Sequence, residues 1–478
     1  MLPILKSFSS HLPPIELYRR SGFQVASPFS FIMDGRGWLN GRYSLFGGTP
    51  FGRFQSDGAI SRFDHYGGDS CVKQGNPLEH LQIWLDRFRP QETFSSLPFL
   101  GGAVGFFSYN LVRVFETMPI QPVQPEGSVP DIDLIFIHFF VLYDHEERRC
   151  HVVYNPYPEI QMGCNPEDIY REGCRKRDEI VARLQRDCPN DLEEKSVLPI
   201  QIYPHMSRDT YLKGVDRILK YIAEGDIFQA NFSQSFYTPF FLHNPFALYK
   251  RLCQINPSPF SAYLEMGAIQ IAGNSPERLV KVQKVGETHS LLTSPIAGTQ
   301  PRGATDAEDQ EKITCLMNSP KERAEHLMLV DLERNDLGKV CRYGSVRMEG
   351  LMTLERYSHL YHLVSHIRGE AIPKVASVDI LKAVFPGGTI TGVPKIRCMQ
   401  IIAELEKRPR GIYTGSVGYF DFAGEMEWNI VIRTWIRNGG EMTFHVGSGI
   451  VADSDPEAEY AETLHKAAAL IQALEVTF

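Results

Sequence analysis

The stretch EMTFHVGSGIVADSDPEAEYAETLHKAAALIQAL, residues 441–474, reads as a strand, a glycine-rich passage and a helix in direct succession. Residues 442–451 have the strand pattern, and Gly447 and Gly449 interrupt it near its end. Pro456 then opens a helix that runs to about Leu474, because proline is tolerated where the first helical N–H has no partner. Working upstream, further strands are expected near 413–421 and 428–437, and a helix from about 306 to 333. SAYLEM (261–266), AIQIAG (268–273) and RLVKVQKV (278–285) are alternating strand-like runs. From Ser207 a helix is expected, with apolar residues at Tyr211, Val215, Ile218, Leu219 and Ile222 and a stop at Gly225. The N-terminal part adds strands separated by turn signals such as Asn40-Gly41 and Asp57-Gly58, with helical patterns near 78–90 and 165–186. Strands and helices interleave throughout, so the fold class is mixed α/β. The charged, Pro- and Asn-bearing segment from Arg186 to Pro204 is taken as a boundary. It separates an N-terminal lobe, 1–190, from a second domain, 205–478.

Composition excludes several functions. The chain has 478 residues, of which 43% are hydrophobic and 22% charged, ordinary values for a globular protein. Lys and Arg total 49 against 57 Asp and Glu, a net charge of −8, so no basic excess is present to hold nucleic acid. Nine cysteines, at 71, 150, 164, 174, 188, 253, 315, 341 and 398, form no CxxC pair. They read as reduced thiols of a cytosolic protein rather than a disulfide or zinc framework. The N-terminal MLPILKSFSSHLPP lacks the pattern of a signal peptide. The longest apolar run, Leu134 to Tyr143, is interrupted by His138 and is too short to span a bilayer, which predicts a buried strand and no membrane association.

Chemistry-bearing residues recur at helical spacing. Glu322 and Glu325 are three apart on one predicted helix, and Glu459 and Glu462 on another, so each pair shares a helix face. Four carboxylates from two helices could flank a Mg²⁺ ion, which prefers oxygen ligands. Spacing alone favours the plainer reading, two solvated helix faces. Two glycine-rich stretches, FPGGTITGVPK (385–395) and VGSGIVAD (446–453), let backbone N–H groups approach an anion, yet neither is a P-loop or a dinucleotide fingerprint. Arg433 stands in the strand-like NIVIRTW, and Lys466 lies four residues after Glu462. Glu277 in SPERL and His362 in YHLVSHI are unremarkable one at a time.

Together these motifs resemble one family. SPERL, PIAGT, KERAEHLMLVDLERNDLG, FPGGTITGVPK, GSVGYF, NIVIRT and GSGIVADSDPEAEYAET follow the order of the chorismate-utilising enzymes over roughly residues 205–475. GRYSLFG and LPFLGGAVGFFSYNLVRVFE extend the likeness more loosely into the N-terminal half. The resemblance implies an anthranilate-synthase-like α/β/β/α sandwich with two central, largely antiparallel sheets. It implies that Glu325 and Glu462 hold Mg²⁺, with Glu322 and Glu459 close to the ion. The backbone amides of Gly447, Ser448 and Gly449, with Lys466, would receive a carboxylate, and Arg433 and Tyr413 would bind the enolpyruvyl carboxylate. Thr389 joins this substrate-binding set. Glu277 matches the general acid for the leaving C4 hydroxyl, with His362 near that hydroxyl.

Branch choice rests on a few positions. Water-using members carry a lysine where this chain has Gln229, and glutamine cannot act as a general base near pH 7, so the resemblance implies amination by ammonia. Ala297 in PIAGT matches anthranilate synthases, whereas aminodeoxychorismate synthases typically have a lysine there. QANF with Asn231, PFSAYLE, SPER, FPGG, GSVGY and WNIVIRT match the aminodeoxychorismate branch. The balance favours that branch, with anthranilate formation as the alternative. IMDG (32–35) and NPSPFS (256–261) are altered counterparts of the tryptophan-inhibition motif. No cysteine sits in a G-x-C-x-G setting, so a separate glutamine amidotransferase is expected to supply ammonia. A module that binds without turnover would have no chemical use for both Glu277 and the paired carboxylates.

Overall fold

A computed structural model describes residues 3–66, 68–90, 97–118, 129–186, 201–239, 245–303, 305–356 and 360–474. Two antiparallel sheets, each of twelve strands, form its centre. The first sheet runs Ile4–Ser9, Arg149–Tyr154, Phe139–Asp144, Tyr43–Gly48, Phe29–Met33, Phe260–Met266, Ile269–Ser275, Thr434–Asn438, Glu441–Ile450, Gln229–Pro239 and Tyr203–Pro204, with Gly392–Val393 also on Gln229–Pro239. The second runs Ile296–Pro301, Leu360–Glu370, Thr288–Ser294, Arg278–Val285, Met426–Asn429, Ser416–Asp421, Gly102–Phe107, Ile132–Ile137, Gly52–Asp57, Ile60–His65 and Ser70–Gln74, with Arg347–Arg356 on Leu360–Glu370.

The layers follow from which faces are apolar. Phe31, Trp38, Phe140 and Ile271 of the first sheet side meet Val104, Ile135 and Tyr419 of the second in one dry layer. Helices Pro14–Ser21, Pro166–Gln185, Pro245–Ile255 and Pro456–Gln472 cover the first sheet's outer face. Pro77–Arg87, Pro320–Gly338 and Ser377–Val384 cover the second's, while Arg208–Ala223 and Lys395–Leu405 pack against strand Gln229–Pro239 of the first. This is the expected helix–sheet–sheet–helix sandwich. The expected boundary falls largely on residues 187–200, outside the described residues. Strands from both sides of it enter both sheets.

Two expected strands are each divided between the sheets. Leu134 to Tyr143 is not one strand: Ile132–Ile137 belongs to the second sheet and Phe139–Asp144 to the first, with the chain crossing at His138. Both strands are buried on both faces, so their sequences merge into one apolar run. Likewise 428–437 divides into Met426–Asn429 and Thr434–Asn438, and Arg433 lies in the crossing with φ 52. The expected 306–333 helix is also two, Asp306–Asn318 and Pro320–Gly338. Pro320 cannot supply an interior helical N–H, and the Ser319 hydroxyl caps the second helix by accepting from the Glu322 N–H at 3.3 Å. The helix from Ser207 forms as expected, Arg208–Ala223, with Ser207 as its cap.

A reverse crossing lies beside the one at Arg433. Strand Ile269–Ser275 of the first sheet leads through Pro276 and Glu277 into Arg278–Val285 of the second. The two crossings are tied together. Ile430 N–H donates to the Glu277 carbonyl at 3.0 Å, and Asn274 N–H to the Arg433 carbonyl at 3.2 Å. The Ser275 hydroxyl donates to the Ile430 carbonyl at 2.5 Å. Sheet switching thus sets Glu277 and Arg433 side by side.

In the N-terminal half, the IMDG and NPSPFS segments pack together. Asp34 N–H donates to the Ser261 carbonyl at 3.0 Å, and a Cβ on Gly35 would lie 2.0 Å from the Pro259 carbonyl oxygen. The cysteines other than Cys188, which lies outside the described residues, are free thiols. Among the described residues no helix is long and apolar enough to cross a membrane.

Candidate active site

Strand Gln229–Pro239 pairs with Glu441–Ile450, placing Asn231 opposite Gly449 and Ser233 opposite Gly447. Residues two apart on a strand share a face, so Gln229 and Asn231 stand over the bare backbone of the two glycines. A Cβ on Gly449 would lie 2.7 Å from Gln229 Nε2 and 3.2 Å from Glu325 Oε1. One on Gly447 would lie 2.7 Å from Asn231 Oδ1 and 3.0 Å from the Tyr413 hydroxyl. Glycine at both positions lets these polar side chains converge. Gly449→Ala is expected to displace Gln229 and Glu325 and lower kcat/KM by about 10²-fold, with a nearly unchanged melting temperature. Steady-state kinetics beside a thermal melt measures both, and an unchanged kcat/KM would refute this role for the glycine.

Gln229 Nε2 donates to Glu325 Oε1 at 2.5 Å. Gln229 Oε1 and Asn231 Oδ1 are buried acceptors with no protein donor among the described residues. Leaving a buried acceptor unpaired costs about 1–3 kcal/mol, so this pair of oxygens suits a ligand bearing N–H or O–H groups. Ser448 points the other way, its hydroxyl 2.9 Å from that of Tyr211. Only its main chain can serve a ligand on this face. The neighbouring strand Thr434–Asn438 covers Glu441–Ile450 only as far as Thr443, leaving one main-chain edge of 447–449 without a strand among the described residues. Lys466 Nζ lies 3.0 Å from the Gly447 carbonyl and 2.7 Å from Glu462.

The paired glutamates arrive from helices Pro320–Gly338 and Pro456–Gln472. Glu325 reaches the glycine stretch beside Gln229, and Glu462 reaches it through Lys466. Glu322 lies against Gly298, whose Cβ would stand 3.0 Å from Glu322 Oε2. Glu459 is buried. Its Oε1 accepts from the Ser454 hydroxyl at 2.6 Å, and its Oε2 is a buried oxygen without a hydrogen-bond partner among the described residues. Among the described residues no three His, Cys, Asp or Glu side chains are already gathered as a metal cluster. The donors are nevertheless all oxygen, with one buried oxygen unused, and that fits a hard cation such as Mg²⁺.

Beside this floor lies a buried acid. Glu277, 4% exposed, accepts from the Thr389 hydroxyl at 2.8 Å and from the Ile296 N–H at 3.4 Å. Burial pushes its carboxyl up to about 7, against the pull of those hydrogen bonds and of the Arg433 charge. Ala297 follows Ile296 and is buried. His362 is held down to about 4 by burial and by Arg433, against a backbone hydrogen bond with Gly298, so its ring is neutral at pH 7. Tyr413 stacks on His445, centroids 4.8 Å apart.

Gln229, Asn231, Glu325, Tyr413 and Lys466 thus meet at the glycine floor and Glu277, Thr389 and Arg433 at the paired sheet crossings, while Glu322 lies at Gly298 and Glu459 at Ser454. The model for chorismate binding enzymes matches residues 40–472. The chain belongs to that family. Aminodeoxychorismate synthase component 1 of Bacillus subtilis (strain 168) is 39% identical over 437 residues, 91% of this chain and 90% of that protein. Anthranilate synthase component 1 of Synechocystis sp. is 37% identical over 467 residues, 94% and 91% of the two chains. The crystal structure of anthranilate synthase component I from Streptococcus pneumoniae TIGR4 superposes with a TM-score of 0.79 at 31% identity, over 90% of this chain and 92% of that one. The menaquinone-specific isochorismate synthase of Escherichia coli, 19% identical, shares the fold with a TM-score of 0.73, over 99% and 95%. The protein is a chorismate-utilising enzyme of the anthranilate synthase and aminodeoxychorismate synthase group.

Sequence reading of this enzyme passed over three residues near the site. Glu333 is a second buried carboxyl, pushed up to about 8 by burial. Its signal was present: Glu322, Glu325, Leu329, Glu333 and Asp336 follow one helical stripe. Glu406 and Arg410 form a buried ion pair, 2.8 Å apart. Their i,i+4 spacing is that of an ordinary surface pair, so only packing reveals their burial.

Proposed function

We propose that the enzyme is component I of an aminodeoxychorismate synthase, acting in the cytoplasm. It would replace the C4 hydroxyl of chorismate with ammonia to give 4-amino-4-deoxychorismate, the first step toward 4-aminobenzoate and folate. The observation that carries amination is Gln229. Its Nε2 is engaged by Glu325 and its Oε1 is an open, buried acceptor. An amide oxygen cannot take a proton from water near pH 7, but it accepts an N–H of ammonia and holds the nitrogen in place. Attack leading to the C4 product is supported by the Asn231, PFSAYLE, SPER, FPGG, GSVGY and WNIVIRT matches and by the likeness to the Bacillus enzyme. Anthranilate formation is the second reading. Ala297 favours it, since a methyl group stands where a lysine would be needed to reach the ring.

Glu277 donates a proton to the departing C4 oxygen, for which a carboxyl near 7 is well matched. Arg433 and Tyr413 hold the enolpyruvyl carboxylate, while the 447–449 main chain and Lys466 receive the ring carboxylate. The neutral His362 lies near the C4 oxygen. Mg²⁺, held by Glu325 and Glu462 with Glu322 and Glu459, would supply charge stabilisation and orientation at the ring carboxylate when bound. Because Glu277 must be protonated, kcat at a fixed concentration of free ammonia is expected to fall as pH rises through about 7. A kcat that stays level to pH 9 would remove Glu277 from the acid role.

The relatives carry the name component 1, and this chain has no G-x-C-x-G cysteine. A separate glutamine amidotransferase subunit is therefore the ammonia source in this reading. Product identification tests it. The pure chain with chorismate, Mg²⁺ and ammonium should yield 4-aminobenzoate only after a lyase is added, and glutamine should not replace ammonium. Direct release of fluorescent anthranilate would establish the second reading, and Ala297→Lys would then show whether that position directs the nitrogen.

A further inference from the structure

A groove of about 900 Å³ opens behind the site, between helices Pro320–Gly338, Ser377–Val384 and Lys395–Leu405. Asp336, Lys395 and Leu332 line it. Asp336 is buried, and Lys395 Nζ binds it at 2.5 Å, while also donating to the Pro386 carbonyl at 2.7 Å. Lys339 reaches the same carboxylate from the groove at 2.8 Å. One helical turn inward stands Glu333, 6% exposed, accepting from the Thr293 hydroxyl. Glu333 has no task in the amination chemistry, although burying a carboxyl is costly.

Glu333 and Glu277 are held by the same two segments. Thr293 bonds Glu333, and Ile296, three residues on, bonds Glu277. Gly388 packs on Glu333, its Cβ position 3.8 Å from Glu333 Cγ, and the adjoining Thr389 bonds Glu277. Titratable groups therefore run in sequence from solvent to the reacting centre: the groove, Asp336 with Lys395, Glu333, then Glu277.

We propose that Glu333 reloads Glu277 with a proton after each turnover, drawing that proton from the groove past the Asp336–Lys395 pair. The inference rests on Glu277 being the acid. Glu277 gives its proton to the departing oxygen, which leaves as water with the electron pair of the C–O bond. The Glu277 carboxylate then takes the proton of the Glu333 carboxyl, and Glu333 takes another from water in the groove. The proton shed by the newly bonded nitrogen enters solvent, so none is consumed overall. The groups facing Glu333 are Glu277, Asp336 and Lys395. Burial and the Glu277 charge lift Glu333 to about 8, so it holds a proton at neutral pH and feels the Glu277 charge through the segments that hold both carboxyls. Glu333 touches no reacting atom and acts through Glu277.

Rapid-quench kinetics of the full chain with chorismate, Mg²⁺ and ammonium tests the relay. Glu333→Gln, which keeps an acceptor for Thr293, should show a burst of one product per enzyme at the wild-type rate. Steady turnover should then be slower by at least about tenfold. Formate should restore steady turnover in Glu333→Ala. Steady turnover of Glu333→Gln within twofold of wild type overturns the relay. So does a burst and steady rate lowered together without formate rescue, which marks a merely structural residue. Glu277→Gln separates the two ideas. If it abolishes the first turnover while Glu333→Gln behaves as wild type, the relay alone fails. If Glu277→Gln keeps the first turnover, the acid assignment fails and the relay falls with it.

Discussion

Glu277→Gln is expected to lower kcat by about 10²–10⁴-fold, the usual contribution of a positioned general acid. Glutamine is nearly isosteric and still accepts from the Thr389 hydroxyl, so the site keeps its shape and KM should change little. What disappears is the proton. The wild-type carboxyl is buried, bonded to Thr389 and Ile296, and lifted to about 7. Its two protonation states are therefore both accessible near neutrality, and the protonated one is the active one. The loss should appear in kcat and kcat/KM alike, because the proton is needed only in the transition state. Chorismate consumption followed by absorbance, at several pH values, measures it. A Glu277→Gln enzyme retaining more than a tenth of wild-type kcat would show that another group protonates the leaving oxygen.

Arg410→Met is expected to destabilise the fold by about 3–5 kcal/mol, the cost of breaking a buried ion pair from one side. Arg410 donates twice to Glu406 at 2.8 Å, and to the carbonyls of Ile390 at 2.8 Å and Asn231 at 2.7 Å. Glu406 in turn accepts from Ser233 N–H at 2.9 Å and its hydroxyl at 2.8 Å. The guanidinium also lies between the rings of Tyr109 and Tyr413, 5.0 and 5.7 Å from their centroids. One buried pair thus joins the Gln229–Pro239 strand, the 385–395 loop and the Tyr413 turn, all of which carry site residues. Removing only the cation strands a carboxylate in the interior. Arg410→Met with Glu406→Leu removes both charges and should recover part of the loss. Urea unfolding of the two variants decides it, and an Arg410→Met protein within 1 kcal/mol of wild type would disprove the clamp.

Much of the candidate site was legible before the fold was known, because its chemistry is local in sequence. Glycines at 447 and 449, carboxylates three apart on helices, and Gln229 in QANF are visible as residue types at fixed spacings. Neighbours brought together from remote segments were not visible. Glu277 in isolation is an ordinary glutamate of SPERL. Its proton affinity comes from the burial that the sheet crossing imposes, which outweighs the opposing hydrogen bonds from Thr389 and Ile296. Glu333 passed unnoticed for the same reason, since a carboxylate on a helix usually faces water.

Sequence alone determined the class of the fold, the strand–glycine–helix succession of residues 441–474 and the residue types available for catalysis, because these depend on periodicity and local backbone freedom. Only the tertiary structure decided which sheet each strand joins. Residues 134–143 and 428–437 read as single apolar strands, yet each crosses from one sheet to the other. When both faces of a strand are buried, its pattern carries no sign of which sheet it pairs with. That choice rests on long-range hydrogen bonds, and it is the choice that sets Glu277 beside Arg433.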